Sequence, residues 1–317
     1  MKVFITRDIP EVAYKLLKKN RINFDYYKED RPIPKNILGK KVKDCDALIP
    51  LLTEQIDSSL IDQMPKCKII ANYAVGYNNI DVEYAKGKKI FVTNTPDVLT
   101  ESTADLTIAL VLACTRRLYE AERIVRLQKF KGWKPKMLLG VEMKGKVFGI
   151  LGAGRIGAAV AARAHSFGTK LIYCDSHNNS DLENGYNAKK VTLNKLLKKS
   201  DFISVHLPLN KNTYHFLNKE RLSLIKPTAI LVNTARGEII DESHLIKMLK
   251  KNKIRSAGFD VYENEPAISN ELLKLSKVVL LPHIGSATEE ARNGMAELAA
   301  RNVIYALKGK KPLTPVY

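Results

Sequence analysis

An α/β protein is what the sequence predicts, built on two doubly wound parallel sheets with one domain inserted into the other. Three observations carry this. Short apolar runs alternate with helix-forming stretches along most of the 317 residues, the pattern that parallel sheets require. The run Val147–Leu151 ends in three glycines, Gly152, Gly154 and Gly157, and opens directly into a helical stretch. The last helical stretch, 289–307, follows the final strand of the second domain. The first domain lacks a closing helix of its own, so the chain is expected to return there.

In chain order, the first domain is predicted to start with a strand at Val3–Thr6. A helix over Glu11–Lys19 follows Pro10, with Val12, Leu16 and Leu17 at helical spacing. Strands are expected at Ile22–Tyr27, Ala47–Leu52, Lys68–Ala74 and Ile90–Thr93, and a helix over Asp57–Gln63 with Asp57 as its cap. From Glu101 to Leu127 the composition predicts one long amphipathic helix without a breaker, then a loop over Phe130–Pro135 that holds the only tryptophan, Trp133. Six strands are predicted for the second domain: Val147–Leu151, Lys170–Asp175, Phe202–His206, Ala229–Asn233, Ser256–Phe259 and Val278–Leu281. The expected domains are 1–99 with 286–317, and 100–285, the latter including the long helix and loop over 100–140. Hinges are expected at the crossings, Asn94–Leu99 and Gly285–Thr288. Both sheets fit the Rossmann or flavodoxin type.

Composition narrows the class. Hydrophobic residues make up 45% of the chain, enough for sizeable cores. The four cysteines form no C-x-x-C pair, so they read as reduced thiols of a cytoplasmic protein. Arg7 and Asp8 interrupt the apolar start at once, which argues against a signal peptide. No apolar run approaches the ~20 residues of a membrane span. The net charge of +19 would suit a nucleic-acid or membrane surface. The lysines, however, fall in small groups at helix ends and turns without interleaved aromatics, as a solvated surface would have them. No nucleic-acid, membrane or metal partner is expected.

The glycine run has a chemical reading. Gly152 permits a tight turn, Gly154 lets backbone approach a pyrophosphate, and Gly157 lets helix and strand pack closely. The helix start offers free N–H groups and a positive dipole end to phosphate. Asp175 ends the next strand, about 20 residues on, where an acid accepts from a ribose 2′-OH. Three further residues follow strands of the same domain, at the edge where the nucleotide binds: Arg236, Glu265 and His283. Pro266 biases Glu265 towards extended geometry.

The runs L-G-A-G-R-I-G, H-L-P-L (His206–Leu209), N-T-A-R-G (Asn233–Gly237), F-D-V-Y-E-N-E-P (Phe259–Pro266) and P-H-I-G-S-A (Pro282–Ala287) occur in this order. In them the chain resembles the D-isomer-specific 2-hydroxyacid dehydrogenases. N-Y-A-V-G-Y-N-N-I-D (Asn72–Asp81) matches that family's substrate loop. V-L-T-E-S-T-A-D and G-W-K-P look like its glyoxylate and hydroxypyruvate reductase branch. The resemblance implies reduction of a small 2-oxo acid by hydride from a nicotinamide. His283 would donate the proton, the work for which imidazole is the commonest side chain. Glu265 would orient His283. Arg236 would hold the substrate carboxylate with its planar fork, and the backbone N–H groups of Val75 and Gly76 would complete that cradle from the other domain, placing substrate in an interdomain cleft. Leu51, Leu52, Tyr73 and Trp133 are the expected pocket residues.

The resemblance also implies lesser cofactor contacts. Ala153, Arg155 and Ile156 would line the pyrophosphate turn. His206, Pro208 and Thr213 would border the cofactor, the last two on its adenosine side. Thr234 and Ala235 would flank the nicotinamide, Asp260 would accept from its carboxamide, and Thr103 and Gly285 would lie nearby. The other histidines, His165, His177, His215 and His244, have no partner that the sequence names. Asp175 accepts from a 2′-OH and repels a 2′-phosphate, so NAD is expected over NADP. A homodimer is expected, with Trp133 either reaching the neighbouring subunit's pocket or only packing there. Other dehydrogenases of the family, acting on D-lactate, D-3-phosphoglycerate or phosphite, are the alternatives. An NAD-sensing corepressor is the alternative from another class.

Overall fold

The computed structural model describes residues 1–317. It divides into two compact units, Met1–Leu99 with Ser286–Tyr317, and Thr100–Gly285. Both sheets are wholly parallel, as the alternating pattern predicts.

Unit 1 begins β1 (Lys2–Ile5), α1 (Val12–Lys19), β2 (Asn23–Tyr26), α2 (Lys35–Val42), β3 (Ala47–Ile49), α3 (Ser58–Ile61), β4 (Ile69–Ala71), α4 (Val82–Gly87) and β5 (Phe91–Thr93). The five strands lie in the order β2-β1-β3-β4-β5. The central strands β1, β3 and β4 are buried except for Lys2, so each reads as an apolar run rather than an alternation. Asp57 caps α3 by accepting from Leu60 N–H at 3.0 Å. The strands are shorter than their apolar runs suggest. Beyond Ile49, for example, Leu51 N–H turns away to Thr6 Oγ1 and Glu54 Oε2. Helices α2 and α4 escaped the sequence reading because they are short and rich in lysine or tyrosine.

Unit 2 runs α5 (Thr100–Thr115), α6 (Leu118–Arg126), β6 (Val147–Leu151), α7 (Arg155–Ser166), β7 (Lys170–Cys174), α8 (Ser180–Tyr186), β8 (Lys189–Lys190), α9 (Leu193–Lys199), β9 (Phe202–Val205), α10 (Lys219–Leu222), β10 (Ile230–Asn233), α11 (Glu242–Lys250), β11 (Ser256–Phe259), α12 (Asn270–Leu273) and β12 (Val278–Leu280). The sheet has seven strands, not six, in the order β12-β11-β10-β9-β6-β7-β8. The extra edge strand, β8, is two exposed lysines and carries no apolar signal. The order reverses beside β6, so the crevice that binds ligands in such sheets opens at the carboxyl ends of β6 and β9. Phe148 and Phe202 pack across those two strands with ring centroids 5.9 Å apart. Each such fully buried side chain contributes roughly 1.5–3 kcal/mol.

The single long helix expected over Glu101–Leu127 is corrected. It breaks at Arg117, which is left-handed at φ 54°. The two halves differ in setting: α5 is largely buried and not amphipathic, whereas α6 buries no residue. Arg117 holds the corner by donating from Nε and Nη2 to Glu120 at 2.8 and 2.7 Å. Finally α13 (Glu289–Leu307), capped by Thr288, returns to unit 1 and packs on α1 and β4.

Many lysines sit in the last turns of helices: Lys18 and Lys19, Lys40 and Lys41, Lys198 and Lys199, Lys247 and Lys250. Each faces the negative end of a helix dipole, which is where the positive charge is placed. All four cysteines are free thiols. No helix is long and apolar enough to cross a membrane, and no cluster of three or more His, Cys, Asp or Glu side chains is placed to hold a metal ion.

Candidate active site

The carboxyl edge of the unit 2 sheet carries the glycine turn. Gly152 has φ +94°, and a Cβ there would lie 2.8 Å from His206 carbonyl atoms. A Cβ on Gly157 would lie 2.0 Å from Gly152 O, so only glycine lets α7 approach β6 this closely. Gly154, the N-cap of α7, faces open space. The turn therefore offers bare backbone and a helix start, the cradle a pyrophosphate needs.

Asp175 follows β7. One carboxylate oxygen accepts from Ala153 N–H at 2.7 Å and the other from His177 N–H at 3.0 Å and Ser176 Oγ at 3.2 Å. Burial pushes its pKa up, but these hydrogen bonds and the nearby His177 outweigh it and hold the group below the usual carboxylate range. Asn179 Nδ2 donates to Ala153 O at 2.8 Å, so the Ala153 residue is held from both sides. Asp175 thus fixes the turn as well as facing the crevice.

His206 follows β9, its Nε2 2.5 Å from Ser204 Oγ, and burial pushes its pKa down to about 3. It is neutral at any working pH. Thr213 Oγ1 donates to Pro208 O at 2.6 Å and closes the next loop. Thr234 Oγ1 lies 2.8 Å from Thr107 Oγ1.

Arg236 follows β10. Asn233 shapes this segment: its Oδ1 accepts from Ala235 N–H at 3.0 Å and its Nδ2 donates to Arg236 O at 2.8 Å. Arg236 Nη1 donates to Ala235 O at 2.7 Å. Burial pulls the guanidinium below its ordinary pKa, against the attraction of Glu265 and Glu238. Gly237 allows the segment to lie against the loop after β11, since a Cβ there would fall 1.9 Å from Tyr262 C.

Glu265 and His283 meet. Glu265 Oε2 is 2.8 Å from His283 Nδ1, and Glu265 Oε1 accepts from Tyr262 N–H at 2.9 Å. Burial raises the Glu265 pKa, but the His283 hydrogen bond and charge, Tyr262 N–H and the charge of Arg236 win, so it stays below the usual range. A carboxylate only accepts, so Nδ1 carries a proton and Nε2 is the nitrogen left for other chemistry; it makes no hydrogen bond within the chain. His283 is left-handed at φ 55°. Such a conformation costs about 1–3 kcal/mol in a residue that is not glycine. It is held by Asp260, whose two oxygens accept from Ile284 and Gly285 N–H, each at 2.7 Å. Burial raises the Asp260 pKa. Asp260 is therefore the anchor of the His283 loop, a role the sequence did not suggest. Thr103 Oγ1 adds a bond to Gly285 O at 3.2 Å.

In unit 1, Val75 and Gly76 lie on the loop after β4, and neither N–H donates within the chain. Leu51 and Leu52 are half-buried. Tyr73 is corrected as a pocket residue: it is buried at 3% exposure, and its hydroxyl donates to Arg292 O at 2.8 Å, clamping α13. Trp133 is 80% exposed. Three of the histidines outside the site do have side-chain neighbours. His215 Nε2 lies 2.6 Å from Glu263 Oε1, His177 Nδ1 lies 3.0 Å from Ser176 Oγ, and His165 packs on Tyr186. Asn233 and Tyr262 were passed over as site residues, although both lie inside quoted motifs. Their signal was only adjacency to Arg236 and Glu265.

The family model for the D-isomer specific 2-hydroxyacid dehydrogenase NAD-binding domain matches residues 108–285. A glyoxylate reductase of Thermococcus litoralis is 50% identical over 315 residues, which cover 98% of this chain and 95% of the relative. The crystal structure of the TT0316 protein of Thermus thermophilus superposes with a TM-score of 0.94 at 39% identity, covering all of both chains. A glyoxylate/hydroxypyruvate reductase of Sinorhizobium meliloti, described as NADPH-dependent and solved with NADP and malonate, gives 0.86 at 31% identity, covering 99% and 96%. The glycine turn, the strand-end residues and these matches agree, and the chain belongs to the D-isomer-specific 2-hydroxyacid dehydrogenase family.

Proposed function

We propose that the protein reduces a small 2-oxo acid, glyoxylate or hydroxypyruvate, to the D-2-hydroxy acid with NADH. The observation that carries this is the hydrogen-bonded pair Glu265–His283 on the same strand-end edge as Arg236 and the glycine turn. When bound, the nicotinamide supplies the hydride. The chain does the rest. Arg236 holds the substrate carboxylate and polarises the carbonyl. His283, its Nδ1 held by Glu265, presents Nε2 as the proton donor where negative charge develops. Thr234, Ala235 and Asp260 border the nicotinamide in this reading, Thr213 and Pro208 the adenosine side, and the Val75 and Gly76 amides are free to take a carboxylate.

The cofactor is NADH in preference to NADPH, because Asp175 is ionised and would repel a 2′-phosphate. The NADPH-dependent relative shows that the family context alone does not decide this. We also infer a cytoplasmic homodimer. Its support is the exposed apolar set Leu118, Tyr119, Val125, Leu127, Phe130 and Trp133 within one short segment. The test is NADH oxidation by the purified protein across a panel of 2-oxo acids, repeated with NADPH. Glyoxylate or hydroxypyruvate should give the highest kcat/KM, with NADH. Cofactor binding without turnover of any 2-oxo acid would overturn the reading.

A further inference from the structure

The loop after β4 is held in an unusual way. Three successive carbonyls are fixed: Ala74 O accepts from Thr95 N–H at 2.9 Å, Val75 O from Asn94 Nδ2 at 2.8 Å, and Gly76 O from Asn72 Nδ2 at 2.7 Å. In a trans peptide the C=O and the following N–H point in opposite directions. Fixing these carbonyls therefore aims the N–H groups of Val75, Gly76 and Tyr77 the other way, and none of the three donates within the chain. Consecutive unused N–H groups on one loop are the donors from which anion-binding concavities are made.

Asn72 is fully buried, and its Oδ1 makes no hydrogen bond. Leaving a buried acceptor unmet costs about 1–3 kcal/mol. Turning the amide over would point Oδ1 at Gly76 O and lose the donor. The amide is also set by Asn79, whose Oδ1 lies 3.5 Å from Asn72 Nδ2 and whose own Nδ2 donates to Leu51 O and Glu54 O at 3.2 and 3.0 Å. An amide kept at a cost, with its donor on one loop carbonyl, signals a position that function requires.

We infer that Asn72 and Asn94 are positioning residues that pre-aim the Gly76 and Tyr77 amides for a carboxylate. This rests on the 2-oxo acid reading of the site. Neither side chain touches substrate. Each acts through a carbonyl it restrains. Because a carboxylate is bound alike in ground and transition states, the loss should appear in KM rather than kcat.

The test uses Asn94→Asp, which replaces the donor by an acceptor of the same shape facing Val75 O, with Asn94→Ala and Asn72→Ser as companions should that one fold poorly. KM for glyoxylate should rise about tenfold, with kcat changed less than about threefold. The inhibition constant of oxalate, measured on the NADH-loaded protein, should rise in parallel while NADH affinity holds. Activity on methyl glyoxylate, which lacks the carboxylate charge, should be little changed, so the preference for acid over ester collapses. A purely structural role would lower both substrates together and would overturn the inference. So would an unchanged oxalate constant in an otherwise active series. A wild-type protein that turns over no 2-oxo acid would instead overturn the proposed function, and oxalate binding would still report on the amides.

Discussion

The two sheets share one construction and use it differently. In unit 2 the carboxyl edge presents side chains: Asp175, Arg236 and His283 within three residues of a strand end, and Glu265 on the loop after β11. In unit 1 the corresponding edge after β4 presents main chain, three amides whose carbonyls are held by Thr95 N–H, the half-buried Asn94 and the buried Asn72. Side chains can move protons and change charge. Backbone amides cannot titrate, so they suit fixed recognition of a group that does not change during the reaction, such as a carboxylate. The difference is one of kind: titratable side chains on one edge, fixed main-chain donors on the other.

The comparison can be broken most forcefully at Arg236. A charge-assisted hydrogen bond is worth about 1.5–3 kcal/mol, and a fork makes two. Arg236→Leu is expected to lower kcat/KM for glyoxylate by about 10³-fold, read by steady-state kinetics, with NADH affinity retained. A loss under tenfold would move carboxylate binding away from unit 2. Gly157→Ala comes next. Its Cβ would meet Gly152 O at 2.0 Å, so α7 must shift from β6, and NADH affinity measured by fluorescence titration should fall about 10²-fold, an effect of about 2.7 kcal/mol. Asp175→Ala should narrow the preference for NADH over NADPH by about tenfold, since one charge and its repulsion are removed; an unchanged ratio would show that Asp175 only fixes the turn through Ala153.

The smallest effect concerns pH. His206 stays neutral in the fold, with its pKa pushed down to about 3 by burial, whereas the unfolded chain protonates it near ~6.5. The unfolded state therefore binds the extra proton between those values, and stability falls as pH drops from about 6.5 towards 3. Tm followed over pH 6.5 to 4 should decline less steeply in His206→Gln than in the parent. Equal slopes would show that the burial of His206 does not govern that limb.

The sequence made unit 2's edge legible because its signals are local. All but the edge strand β8 are largely apolar runs, and the segments that follow them carry the polar residues Asp175, Arg236, Glu265 and His283. The turn at Gly152–Gly157 likewise needs glycine for reasons visible along the chain, and α13 follows from its cap and spacing. What stayed hidden depends on pairs distant in sequence or on backbone state. Arg117 is left-handed without being glycine, so the helix break left no mark. Strand β8 is only Lys189–Lys190 and pairs at the sheet edge. That Asp260 also anchors the His283 loop emerges only once its oxygens are seen on Ile284 and Gly285 N–H. Asn72 and Asn94 flank adjacent strands β4 and β5, and their effect on Val75 and Gly76 exists only once those strands pair.

In the proposed mechanism His283, oriented by Glu265, delivers the proton while the edge around it binds cofactor and substrate. The direct measurement is NADH oxidation with glyoxylate by His283→Ala beside the wild type, with NADH affinity measured on both. A positioned acid contributes about 10²–10⁴-fold. The account predicts a loss of kcat in that range at unchanged NADH affinity. A variant that keeps kcat within a few fold of wild type would contradict it.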